Sequence, residues 1–264
     1  MLRMKHRPEV EIVIPVFNEE HVLARSIRTL HDRLSAHSFE FQLTIADNAS
    51  TDGTLALAES LARELPNVHV VHLEEKGRGR ALRHAWASSD ADVLAYMDVD
   101  LSTDLGALPA LLAPLLEGRG DITIGTRLAP GARVTRSIKR ELISRAYNLM
   151  LHLALRTSFS DAQCGFKAGR REALQPLLAK VEDDEWFFDT ELLCLAQRAK
   201  LAIREVPVQW VEDSDSRVDI LATALRDLRG VMRLRRQLGG ASAPSEVRPG
   251  SEARPSSAVA VPFR

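Results

Sequence analysis

The segment Tyr96-Met97-Asp98-Val99-Asp100 sets two carboxylates one residue apart at the end of an apolar run. Val93–Met97 has the composition of a buried strand, so both acids fall where that strand stops. Two ionised carboxylates this close repel each other and call for a cation. A hard divalent ion such as Mg²⁺ or Mn²⁺ takes oxygen ligands, and it bridges one or two protein carboxylates to substrate phosphates. Acidic pairs are also common at turns, so Asp98 and Asp100 take their meaning from their neighbours.

Those neighbours are strands alternating with helices. Strands are expected at 11–16, 41–46, Val68–Leu73, Val93–Met97, 121–125 and 203–208. Helices are expected at 21–34, 55–64, 80–87, 140–155 and 220–238. This alternation predicts an α/β domain with a mostly parallel central sheet covered on both faces. Ligands of such sheets bind beyond the carboxyl ends of the strands. The first four strands end in polar loops carrying Asn18 and Glu19, Asp47 and Asn48, Lys76 and Arg78, and Asp98 and Asp100. All four should meet in one crevice.

Each further cluster has a chemical and a bland reading. Lys76-Gly77-Arg78-Gly79 can cradle phosphates at a helix N-terminus, or it is an ordinary strand-to-helix turn. It is not a dinucleotide fingerprint, because Leu82 stands where the third glycine belongs. Asp47 is read as a ligand residue and Asp52 as a helix cap. Arg127, Arg133, Arg136, Lys139, Arg140 and Arg145 are six cations within nineteen residues, opposed only by Glu141. An apolar helix follows them, a pattern that suits an anionic lipid headgroup or a solvated surface. Asp161-Ala162-Gln163-Cys164-Gly165-Phe166-Lys167 reads as a compact loop whose acid is a general base or a turn former. Asp189 reads as a helix N-cap, and Arg217 as a diphosphate clamp or a surface arginine. The last helix carries a basic stripe at Arg226, Arg229, Arg233 and Arg236.

Composition narrows the classes. The chain has 264 residues and a net charge of −1, which gives no global reason to bind nucleic acid. Cys164 and Cys194 lack metal-ligand spacing and a disulfide framework, so a reducing cytosolic setting is the expectation. No uncharged run reaches the roughly 18–20 residues of a membrane span, which points to a soluble or peripheral protein. Residues 1–8 are read as an extension and 239–264, rich in Gly, Ala, Ser and Pro, as a disordered tail.

Together these segments resemble the family 2 glycosyltransferases of GT-A (Rossmann-like) fold over residues 11–238. The carriers are Ile14-Pro15-Val16-Phe17-Asn18-Glu19, Asp47-Asn48-Ala49-Ser50-Thr51-Asp52-Gly53-Thr54, Lys76-Gly77-Arg78-Gly79 and Met97-Asp98-Val99-Asp100. To these add Gly125-Thr126-Arg127, the 161–167 segment and Trp186-Phe187-Phe188-Asp189-Thr190-Glu191-Leu192-Leu193. The last two, with Glu205-Val206-Pro207-Val208 and Ser216-Arg217-Val218-Asp219, look most like the dolichyl- or polyprenyl-phosphate glucosyltransferases. The mannosyl branch, which uses GDP-mannose, is similar. This chain reads Asp-Val-Asp-Leu-Ser, where the glucosyl branch usually has Asp-Ala-Asp-Gly and the mannosyl branch Asp-Ala-Asp-Leu-Gln.

The resemblance implies a single catalytic domain at 9–238 and an inverting, metal-dependent transfer of a hexose, chiefly glucose from UDP-glucose. The acceptor implied is a polyprenyl or dolichyl phosphate, met by a peripheral enzyme at the cytosolic membrane face. It implies Mg²⁺ or Mn²⁺ on Asp98 and Asp100. Donor contacts would come from Pro15, Phe17, Glu19, Asp47, Arg78, Asp98 and Arg217. A lipid phosphate is already a nucleophile and needs positioning and charge compensation, which Arg127, Lys139 and Arg140 could give. A hydroxyl acceptor would instead require a base, for which Asp161 is the candidate.

Overall fold

The computed structural model describes residues 7–212 and 220–240. The elements follow in the order β1 (Val10–Val16), α1 (Leu23–Ser35), β2 (Phe41–Asn48), α2 (Thr54–Glu64), β3 (Val68–Leu73), α3 (Arg78–Ser88), β4 (Val93–Met97) and α4 (Leu108–Leu116). The second half comprises β5 (Ile122–Thr126), β6 (Arg133–Thr135), α5 (Ile138–Leu155), β7 (Phe166–Arg170), α6 (Arg171–Leu178), α7 (Phe188–Arg198), β8 (Ile203–Pro207), β9 (Gln209–Val211) and α8 (Ile220–Gly240). A seven-stranded sheet has the order β3-β2-β1-β4-β7-β5-β8, and β6 and β9 form a separate parallel pair. Only β7 runs antiparallel within the large sheet.

Period-two alternation feeds two cores, one on each face. Ile12, Ile14, Ala95 and Met97 pack with α1, α2 and α4, where Leu23, Ile27, Leu30 and Leu34 supply one face of α1. Val13, Leu94 and Tyr96 pack with α3, α5, α6, α7 and α8. The sequence reading anticipated this layering and missed β7. Phe166 and Lys167 open that strand instead of closing a loop. The helix expected to continue to residue 238 runs to Gly240, and the tail from residue 241 onward lies outside the described residues, as do residues 1–6.

Helix α8 seals the second core with Val231 and Leu234 and also buries Asp227. Asp227 Oδ2 accepts a hydrogen bond from Gln163 Nε2 at 3.2 Å, and Oδ1 has no partner among the described residues. Burial pushes this carboxyl up to about 6, with the nearby Tyr147 hydroxyl opposing and Asp183 adding to the rise. The folded chain therefore keeps a proton here that the unfolded chain releases near pH 4. Stability should fall as pH rises from about 4 to 6 and then level off. Asp227→Asn is expected to remove that slope and to raise the unfolding free energy at neutral pH by about 3 kcal/mol. Urea denaturation across this pH range would check it; identical profiles for both proteins would refute it.

Candidate active site

Five parallel strands, β1 to β5, and the antiparallel β7 deliver the candidate residues to one edge of the sheet. Because Met97 pairs with Phe166 antiparallel, the 161–165 segment enters where β4 ends. The amide of Asp98 donates to the Gly165 carbonyl at 3.2 Å. A Cβ on Gly165 would lie 1.7 Å from Asp98 Oδ2, so only glycine leaves room for this carboxylate. Asp98 is partly exposed and Asp100 exposed, on a turn closed by the Leu101 amide and the Asp98 carbonyl at 3.3 Å. Asp100 Oδ1 accepts from the Ser102 amide at 2.9 Å.

Beneath Asp98 lies a buried ionic network. Arg78 Nη2 donates to Asp98 Oδ1 at 3.1 Å and Nη1 to Asp189 Oδ2 at 2.7 Å. Asp189 Oδ1 accepts from the Tyr96 hydroxyl at 2.5 Å and lies 3.3 Å from Lys167 Nζ. Lys167 also donates to Tyr96 and to the Cys164 carbonyl. Burial opposes the Asp189 charge, but Lys167 and Arg78 outweigh it and hold the carboxyl below the usual range. Burial likewise opposes the Arg78 charge, and Tyr96, Asp189 and Asp98 reverse the effect. Asp189 is thus not the N-cap expected: Phe187 occupies that position without a side-chain cap, and Asp189 sits in the first turn with its side chain directed to Arg78.

The other loops are stitched together. Asn18 Oδ1 accepts from the Thr51 amide at 2.8 Å, and the Glu19 amide donates to Thr54 Oγ1 at 2.8 Å. Asp52 Oδ1 accepts from the Thr54 amide at 2.9 Å, close to its expected capping role. Asn48 Oδ1 accepts from the Gly77 amide at 2.7 Å, fixing the Lys76–Gly79 turn, and Lys76 Nζ stands 3.6 Å over the Phe17 ring. Asn18, Ala49 and Leu101 all adopt left-handed backbone, with φ of 57°, 59° and 51°. Strained residues of this kind gather where loops are held for function. Pro15 is half-buried beside Phe17 and Glu19. Asp47 is fully buried, with Oδ2 2.7 Å from His72 Nδ1 and Oδ1 without a hydrogen bond among the described residues.

Arg127 follows β5 and clasps Asp161: Nε to Oδ2 at 2.8 Å, Nη2 to Oδ1 at 2.9 Å, and its amide to Oδ2 at 3.0 Å. The guanidinium also lies 5.4 Å from the Trp210 ring. Asp161 has no solvent exposure. Burial raises the cost of its charge, but Arg127 more than compensates and keeps the carboxyl low. In this arrangement Asp161 is a counter-ion that orients Arg127, and the expectation of a general base does not match its surroundings. The rest of the basic run is partly neutralised as well. Arg136 and Arg145 both pair with Glu141, Arg140 Nη1 is 2.6 Å from Glu212 Oε1, and Lys139 is exposed. Arg217 lies outside the described residues.

A family model for glycosyl transferase family 2 matches residues 11–178. The chain belongs to glycosyl transferase family 2. It is 38% identical over 228 residues to glycosyltransferase AglD of Haloferax volcanii, covering 84% of this chain and 36% of that protein. The chain thus spans about a third of that archaeal relative. It is 31% identical to dolichyl-phosphate beta-glucosyltransferase of Drosophila melanogaster, covering 80% of this chain and 69% of the relative. Its fold is similar to glucosyl-3-phosphoglycerate synthase from Mycobacterium tuberculosis, solved with Mn²⁺, uridine diphosphate and glucosyl-3-phosphoglycerate. There the TM-score is 0.62 at 21% identity, with 90% of this chain and 82% of that one covered. The mostly parallel sheet is therefore a GT-A fold, as the resemblance implied.

Asp189, Tyr96 and Lys167 were missed as site residues by reading the sequence. Their signal was a Lys and an Asp in apolar surroundings, which only pairing makes tolerable. Asp189→Asn should leave two buried cations short of a counter-charge and destabilise the fold by about 3 kcal/mol. Gly165→Ala should displace Asp98 and lower turnover by about a hundredfold, with a much smaller change in melting temperature. Thermal unfolding and donor hydrolysis, measured on both variants, check this pair; equal kinetic effects in the absence of an Asp189 stability loss would contradict it.

Proposed function

We propose that this chain is an inverting glycosyltransferase that moves glucose from UDP-glucose to a polyprenyl or dolichyl phosphate at the cytosolic membrane face. The observation that carries this reading is the sealed Arg127–Asp161 pair. A hydroxyl acceptor needs a base to remove its proton. The carboxylate best placed to serve is buried and spent on an arginine. A phosphate monoester, mostly dianionic at neutral pH, attacks without one. The dolichyl-phosphate glucosyltransferases among the relatives support the same acceptor class.

The residues present fit a divalent cation. Among the described residues no cluster of three or more His, Cys, Asp or Glu forms a complete cage. Asp98 and Asp100 instead supply the one or two carboxylates that suit Mg²⁺ or Mn²⁺ when diphosphate oxygens complete the shell. Bound there, such an ion would offset charge on the departing nucleoside diphosphate. Solved neighbours of this fold carry Mn²⁺ with UDP or UDP-glucose.

The protein's own groups divide the remaining work. Asp47 Oδ1 is a buried acceptor that an N–H of the nucleoside base would satisfy. Pro15, Phe17 and Glu19 line that side, and Arg217, outside the described residues, is assigned to the diphosphate by the sequence resemblance. Arg78 holds Asp98 in place from below and meets the donor through it. Arg127 Nη1 makes no hydrogen bond among the described residues, so it remains to receive the acceptor phosphate, with Arg140 and Lys139 adding positive charge. Attack then proceeds from the face opposite the leaving group, inverting the anomeric centre.

Incubation with radiolabelled UDP-glucose and a polyprenyl phosphate should label the lipid, and chelation should abolish labelling until Mn²⁺ or Mg²⁺ is restored. Arg127→Ala should cut transfer by about a hundredfold or more while donor binding, read by thermal shift, persists. Absence of lipid labelling with the metal-supplemented wild-type chain would remove the proposal.

A further inference from the structure

Helix α5 carries a row of large aliphatic side chains that the fold leaves in water. Ile138 is 80% exposed, Leu142 63%, Leu149 59% and Leu153 73%. At 100° per residue these four positions fall within an arc of about 60° along a helix about 27 Å long. The face toward the protein is different in kind: Leu151 and Leu155 are buried, Tyr147 meets Thr190 at 3.1 Å, and Asn148 Oδ1 accepts from the Ala162 amide at 3.1 Å. That last bond ties α5 to the segment carrying Asp161. The apolar row therefore stands about one helix diameter, roughly 10 Å, from the catalytic loop.

The exposed charges that α5 and α8 themselves carry are cationic. On α5 the exposed ionic residues are Lys139 and Arg145, and on the neighbouring α8 they are Arg226, Arg229, Arg235 and Arg236. The described acids of these two helices are withdrawn: Glu141 is held by Arg136 and Arg145, and Asp227 is buried. Leu228 and Met232, 45% and 47% exposed, add apolar surface on α8. Glu182, 55% exposed, pairs with Arg233 of α8, but the exposed charges on the two helices themselves are cationic. Exposed aliphatic residues beside such cations match an anionic bilayer, whose headgroups attract the arginines while its acyl boundary accepts the leucines. A second copy docking on the same face would bring like charges together.

We propose that α5, flanked by α8, is the surface with which this chain lies on an anionic membrane, with Ile138, Leu142, Leu149 and Leu153 entering the headgroup layer. This deepens the reading of a lipid-phosphate acceptor, on which its purpose rests. The acceptor's phosphate already lies in that layer, and the Arg127 loop is held against the same helix.

The test reads binding and transfer separately. The full chain is floated with vesicles of phosphatidylcholine containing phosphatidylglycerol and with vesicles of phosphatidylcholine alone. The expected result is preferential, salt-sensitive binding to the anionic vesicles, lowered about tenfold by either Leu142→Glu or Leu149→Glu. Both variants should keep wild-type transfer to a short polyprenyl phosphate dissolved in detergent, which shows that they fold. Equal binding of variants and wild type, or no wild-type preference for anionic vesicles, would overturn the proposal. So would a wild-type dimer in sedimentation velocity that Leu149→Glu dissociates, since a second copy would then occupy the face. Leucine-dependent vesicle binding without any transfer to the detergent-dissolved lipid would uphold the docking surface and overturn the acceptor reading instead.

Discussion

The architecture of the site depends on one balance of charge, buried except at Asp98: Arg78 and Lys167 against Asp98 and Asp189, with the Tyr96 hydroxyl shared between them. Each of these groups would be costly to bury alone. Together they are neutral in sum, and burial pushes the Tyr96 phenol well up, so that it stays protonated and donates. The network joins β4, the start of α3, β7 and α7, which are far apart in sequence. Asp98 is therefore held from beneath by elements of both halves of the chain, and from the side by the absence of a side chain at Gly165.

A second pair, Arg127 with Asp161, repeats the device at the end of β5. Here the arginine retains an outward edge, and stacking near Trp210 limits how far it can swing. Trp210 belongs to the short β6–β9 pair and bridges Thr103, just past Asp100. The loops after β4, β5 and β8 are thereby joined in one assembly. The left-handed Asn18, Ala49 and Leu101 belong to the same economy of fixed loops, since none is glycine and each needs its surroundings to hold it.

Much of this was legible in the residues. The apolar runs located all six parallel strands of the large sheet within a residue or two, because a strand covered on both faces is apolar on both. Asp98 and Asp100 were expected at the end of such a run, and the structure places them directly after β4. Besides the short β6 and β9 and helices α4 and α6, what escaped was β7, since Phe166-Lys167-Ala168-Gly169-Arg170 has two cations and a glycine and looks nothing like a central strand. Its Lys167 is tolerated only through Asp189, twenty-two residues further on. Asp189 itself was misread as a cap because local spacing cannot reveal a partner 111 positions away. The same limit applied to Asp161: a carboxylate in a compact polar segment signals chemistry or a turn, and only the fold shows that an arginine has claimed it.

The place of β7 in the sheet also bears on how the molecule comes into being. It lies between β4 and β5, yet the ribosome releases it after both. The first four strands can assemble as they emerge, but β5 has no neighbour to pair with until the segment behind it inserts into the gap. Both carboxylate–arginine pairs close across that gap or beyond it. A nascent chain thus holds a nearly finished first half of the sheet, with the edge that carries the candidate site still open, until late in synthesis.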